Sequence, residues 1–304
     1  MARMSPLVTL APIVLLALAG LAASCSDAAD PDGRIGVVVT LQPQAEYVEK
    51  VGADLVDVTV MVPPGASPHT YDPTPQQIRE LANAEMYAKV GSGVEFELAW
   101  MDKLIGQTED ILVIDCSHGV ELIEMAAAHE PGHENEDSGD AQRTTDPHIW
   151  MSPRNAGVMV RNICDGLVQV DPDNSEVYEA NKDAYLQTLA ELDQDIAAGL
   201  SGVSNRVFMV YHPAFGYFAN DYDLTMLPVE EEGKEPTAAG LAHLIDQADT
   251  HNIEVIFASP QFNPQSANVI AEQIDGSVIF VDPLARDYVA NLRTLLDELV
   301  LAME

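Results

Sequence analysis

Basic side chains are scarce in this 304-residue chain: 14 Lys and Arg stand against 49 Asp and Glu, for a formal net charge of −35. A surface of that sign repels nucleic acid and anionic membrane and gathers cations, so a nucleic-acid partner is excluded. Solubility or adaptation to high salt accounts for the charge at least as well as cation steering does. Signatures of hydrolysis are missing too, with no HExxH and no GxSxG in the chain. The stretch "KVGSGVE" at Lys89 is a lone Gly-x-Gly, and reads as a strand-end turn rather than a phosphate loop. Cysteine is limited to three residues. What is abundant is apolar character, at 47% of residues, which supplies a core and excludes global disorder. The length suits one large domain or two of ordinary size.

The N-terminal "MARMSPLVTLAPIVLLALAGLAASC" has Arg3, an apolar run from about Leu7 to Ala22, then small residues up to Cys25. The run is short for a membrane span and has the form of an export signal, residues 1–25. Small residues before a cysteine resemble a bacterial lipobox, in which Cys25 is lipidated and anchors the chain to the membrane. That box usually has a branched apolar residue three before the cysteine, where this chain has Ala22. An uncleaved anchor and simple secretion therefore stay open, and all three place the working chain outside the cytoplasm. In an oxidising compartment the remaining Cys116 and Cys164 either pair or stay as buried thiols.

After a linker over 26–33, strand-like runs begin at Arg34, Val56, Met86 and Ile111, with helical spacing between them. Arg206, Leu224, Val255 and Val278 open four more. Such alternation marks parallel α/β sheets, and the repetition suggests two similar lobes, residues 34–172 and 201–304. Between them, 173–200 reads as one long helix with Tyr185, Leu189, Leu192 and Ile196 on one face, and a start resembling a capping box at Asp173 and Glu176. About 27 residues of helix reach about 40 Å. It is either a rigid strut between lobes or an ordinary helix packed on one of them. The acidic segment 124–145, rich in breakers, reads as a mobile surface loop. His129 and His133 within it are either an auxiliary metal-collecting pair or solvated side chains.

Two histidines sit on proline-stiffened loops, His69 in "GASPHTYDPTPQQ" and His148 in "DPHIWMSP". Proline fixes φ and narrows its neighbour, so each imidazole is aimed before anything binds. His212 and Asp282 fall at strand ends in the second lobe. All four lie at carboxyl ends of parallel strands, where open α/β sheets bind ligands. Three imidazoles and a carboxylate suit Zn²⁺, with Mn²⁺ as the alternative, held in the cleft between lobes. Singly, each has a duller reading as a hydrogen-bonded loop histidine or a capping aspartate. His118, His243 and His251 follow no such placement and read as structural.

The successive segments "GASPHTYDPTPQQI", "DPHIWMSPRNA", "VYHPAFGYFA", "EEGKEPTAAGLAHLI" and "FASPQFNPQSANVIAEQIDGSVIFVDPLARDYVANL" resemble the ordered motifs of the zinc/manganese solute-binding proteins of ABC importers. The resemblance runs from about Arg34 to the C-terminus. It implies two α/β lobes joined by one long rigid helix, and a buried metal between them on His69, His148, His212 and Asp282. It also implies delivery of the ion to permease subunits in the membrane by what is expected to be a monomer. Manganese-type relatives often carry glutamate at the third position, so His212 favours zinc. Some relatives are assigned roles as adhesins. A metallohydrolase would instead need an open coordination position or a ligand standing off as general base. Four protein ligands leave no place for activated water, which favours a receptor over an enzyme.

Overall fold

A computed structural model describes residues 33–106, 108, 110–125, 145–230 and 234–303. The lipobox cysteine Cys25 and the loop histidines His129 and His133 lie outside the described residues.

Among the described residues, short runs rich in Val, Ile and Met form eight strands, and the central ones of each sheet, being covered on both faces, need no polar alternation. The first lobe runs β1 (Ile35–Val39), α1 (Gln42–Gly52), β2 (Val56–Val60), α2 (Pro75–Ala82), β3 (Met86–Lys89), α3 (Glu95–Ile105), β4 (Leu112–Asp115) and α4 (Pro153–Val170). The second runs β5 (Val207–Val210), α6 (Gly216–Asp221), β6 (Thr225–Pro228), α7 (Ala238–Thr250), β7 (Val255–Ala258), α8 (Gln265–Gln273), β8 (Ser277–Phe280) and α9 (Tyr288–Met303), with α5 (Ser175–Leu200) between the lobes. The two sheets are wholly parallel and share one connectivity, β2-β1-β3-β4 and β6-β5-β7-β8. Repetition of the strand pattern is thus repetition of the fold.

The strand period of two divides the second lobe's core. In β5, Phe208 and Val210 join the large apolar core that runs on into the first lobe, while Met209 packs the opposite face with Ile256 and Ala258 of β7. Among the described residues no helix is long and apolar enough to cross a membrane.

Helix α5 buries Tyr178, Tyr185, Leu189, Leu192, Ile196 and Leu200, a stripe at helical spacing. It engages both lobes. On the first, Tyr185 donates to Glu46 Oε1 at 2.8 Å and Asn181 to the Val51 carbonyl at 3.0 Å. On the second, Arg293 of α9 pairs with Asp195 at 2.6 Å, and Leu296 packs against Gly199, within 3.0 Å of where a Cβ would sit. Its start differs from the expected Asp173–Glu176 box. A 3-10 turn over Pro172–Asn174 precedes the helix, and no side chain caps it. Asp171 does the organising instead, accepting from Asn174 Nδ2 and Tyr178 Oη at 2.7 Å each.

Candidate metal centre

The loop carrying His69 is shaped from both ends. At its far end Thr74 Oγ1 accepts from the Gln77 backbone N–H, Pro75 fills the first helical position, and Gln77 Oε1 accepts from the Thr74 N–H. The Gln77 amide also reaches back to the Val60 and Met61 carbonyls, at 3.0 and 2.7 Å, and so ties α2 to the end of β2. Within the loop, Ser67 accepts from the backbone N–H groups of His69, Thr70 and Tyr71.

The Gly-x-Gly at Lys89 is indeed a strand-end turn, with Gly91 at φ 86° and Gly93 at φ 100°. Its amides grip an anion of the chain itself: Val90 and Gly91 N–H donate to the buried Glu97 carboxylate at 2.6 and 2.9 Å. Thr40 adds a third bond at 2.5 Å. Burial nevertheless lifts the Glu97 carboxyl above its ordinary value, with those bonds opposing. A Cβ at Gly91 would stand 1.9 Å from Asp115 Oδ1, so no larger residue fits there. The turn delivers Glu95, whose Oε1 lies 3.0 Å from His69 Nδ1. Ser92 then ties it to the next loop by donating to the Pro147 carbonyl at 2.5 Å.

His148 sits just before a 3-10 turn, Ile149–Met151, after which Ser152 caps α4 with Pro153 at its first position. The fully buried Asp146 accepts from both the His148 N–H, at 2.9 Å, and Nδ1, at 2.7 Å. The second lobe closes over this aspartate. Tyr217 donates to its carbonyl at 3.1 Å, and Gly216 leaves the space that its Oδ2 fills, since a Cβ there would come within 2.2 Å. His212, two residues past β5, places Nδ1 on the buried Glu230 at the end of β6.

A carboxylate only accepts, so each of these three partners requires a proton on Nδ1 and leaves the lone pair on Nε2. The result is three imidazoles in the tautomer that binds a metal through Nε2, each oriented by its own carboxylate. Burial is the largest influence on His212 and pushes it down to about 4; Glu230 opposes this, and the neighbouring His148 and His69 add to it. His212 is therefore neutral at physiological pH. Burial also pulls His69 down, but Glu95 outweighs it and the net displacement is upward.

The rings converge. His212 lies 5.0 Å from both His69 and His148, centroid to centroid, and stacks on Phe262 at 4.5 Å. His148 Nε2 and His212 Nε2 are 3.1 Å apart. Two lone pairs at that distance repel unless a positive charge lies between them. A tetrahedral zinc with bonds of about 2.0–2.1 Å spaces its nitrogens by about 3.3 Å. Among the described residues no three His, Cys, Asp or Glu side chains stand close enough together to hold an ion as placed. Asp282, two residues past β8, is engaged by Gln261 Nε2 at 2.6 Å and by the Leu284 N–H at 2.8 Å.

The cavity here is lined by Pro68, His69, His148, His212, Gln261 and Phe262, among others, with about 20 Å³ open to a water-sized sphere. That is room for one ion or one water, and not for an organic solute. Trp150 joins the lobes beside it, its Nε1 donating to the Pro283 carbonyl at 2.8 Å.

His118, His243 and His251 do not line the cavity. Cys116 and Cys164 are both buried and free, the second of the two readings that the sequence left open. The sequence reading did not single out Glu95, Asp146, Glu230, Gln261 or Phe262. Only Asp146, two residues before His148, carried a usable signal, the aspartate-turn pattern.

Among known proteins, the family of zinc-uptake complex component A, periplasmic (ZnuA), matches residues 37–302. The high-affinity zinc uptake system protein ZnuA of Bacillus subtilis (strain 168) is 32% identical over 277 residues, 90% of this chain and 86% of that protein. The zinc-binding lipoprotein AdcA of Streptococcus pneumoniae (strain ATCC BAA-255 / R6) is 28% identical over 265 residues, and there the chain spans about half of the relative, 52%, against 86% of its own length. A crystal structure of ZnuA superposes with a TM-score of 0.82 at 38% identity, over 89% of this chain and 100% of that one. The chain belongs to the zinc-uptake complex component A family, the metal-binding receptors of ABC importers.

Proposed function

We propose that the chain captures one Zn²⁺ outside the cytoplasm through Nε2 of His69, His148 and His212 and a carboxylate oxygen of Asp282, and passes it to an ABC permease. The observation that carries this reading is the geometry of the rings: Glu95, Asp146 and Glu230 each engage a histidine Nδ1, which leaves Nε2 for a metal, and the Nε2 atoms of His148 and His212 lie 3.1 Å apart. The histidine at the third position and the zinc-binding relatives support zinc over manganese.

A net charge of −35 would raise the cation concentration around the molecule as a whole. The ion then exchanges its water for three neutral imidazoles and one carboxylate, and binding draws His69 and Asp282 inward. Attachment to the membrane through a lipid on Cys25 would keep the receptor beside its permease.

The test is metal content. Residues 26–304 are stripped and dialysed against equal free Zn²⁺ and Mn²⁺, and bound ions are counted by elemental mass spectrometry. About one zinc per chain is expected, with binding weakened in His212→Ala. A preference for manganese would keep the receptor and overturn its metal; tight binding of neither would remove the site.

A further inference from the structure

Gln261 lies in the loop after β7, beside Asp282, which follows the neighbouring strand β8. Its amide orientation is fixed by chemistry. The Asp282 carboxylate only accepts, so Nε2 faces it, and Oε1 is turned away, buried and without a hydrogen-bond partner. An unpartnered buried acceptor is costly, which a side chain with only a packing role would avoid. The Leu284 N–H donates to the same Asp282 Oδ1. That oxygen therefore has both lone-pair directions committed, and Oδ2 alone remains for an ion.

We propose that Gln261 is a specificity-determining positioning residue: by occupying Asp282 Oδ1 it restricts the carboxylate to a single-oxygen ligand and so selects an ion content with four ligands. The inference rests on the zinc-receptor reading and deepens it. Three imidazoles and one carboxylate oxygen complete a tetrahedral zinc. Manganese favours a larger, oxygen-rich shell, which a carboxylate binding through both oxygens would help to fill. Gln261 withholds the second oxygen. It acts through Asp282 and needs no contact with the metal.

The test compares the wild-type protein with Gln261→Leu and Gln261→Met, two substitutions of similar bulk that remove the amide donor, each checked for folding by circular dichroism. Competition between Zn²⁺ and Mn²⁺ gives the selectivity ratio, and Co²⁺ reports the coordination number through its visible absorption, intense when four-coordinate. The expected result is a zinc-to-manganese ratio lowered by about tenfold in both variants, with weaker Co²⁺ bands. Wild-type zinc binding with an unchanged ratio and unchanged Co²⁺ bands in the folded variants overturns this inference alone. Failure of the wild type to bind either ion overturns the receptor reading and this inference with it.

Discussion

Asp115 ends β4 with one oxygen on Lys89 Nζ, at 2.8 Å, and the other on the Ser117 hydroxyl and N–H. Burial alone would raise its carboxyl, but the Lys89 and Ser117 bonds outweigh it and hold it below the ordinary carboxylate value. A lowered folded value means that the folded state binds fewer protons than the unfolded one. The stabilisation is therefore present above about pH 4 and disappears as the pH falls through the folded value. Asp115→Asn should accordingly lower stability at pH 7 more than at pH 3, as read by urea unfolding at both. Equal losses would mean that shape, not charge, matters at this position. The same residue scale shows why sequence reading singled out the histidines and passed over the carboxylates that orient them. Proline beside His69 and His148 is a local signal. Glu95 is recognisable only once the glycine turn folds it back, and Glu230 stands in an acidic run in a chain with 49 acidic residues.

Helix α5 rises about 39 Å over its 26 residues. Because it is packed on α1 and α4 at one side and α9 at the other, the lobes cannot swing far apart without exposing Leu192, Ile196 and Leu200. Metal-free and zinc-loaded protein should therefore differ by loop movements and a small lobe shift. Small-angle scattering on the two forms should give nearly superimposable profiles, and a wide rigid-body closure would contradict the brace. Elements were the most legible level of the sequence. Buried parallel strands are unbroken apolar runs, and a long helix repeats its stripe over many turns. The start of α5 was misread because Asp173 and Glu176 have the spacing of a capping box, whereas Asp171, bonded to Asn174 and Tyr178, fixes the turn.

At the scale of the molecule, a formal charge of −35 acts against compactness through self-repulsion. Added salt screens it, with a Debye length of about 10 Å at 0.1 M. Raising NaCl from low concentration should increase Tm with zinc held absent, and a flat response would show that local ion pairs already balance the repulsion.

The chain has two tryptophans, and they differ in placement. Trp100 is half-buried on α3, whereas Trp150 is 2% exposed, packed 5.3 Å from His148 and bonded across the cleft to Pro283. The molecule thus carries a native fluorophore at the seam of its two halves. With Trp100→Phe the emission of a single indole would follow both the arrival of an ion at its neighbour and the parting of the lobes, so capture and release become visible without a label.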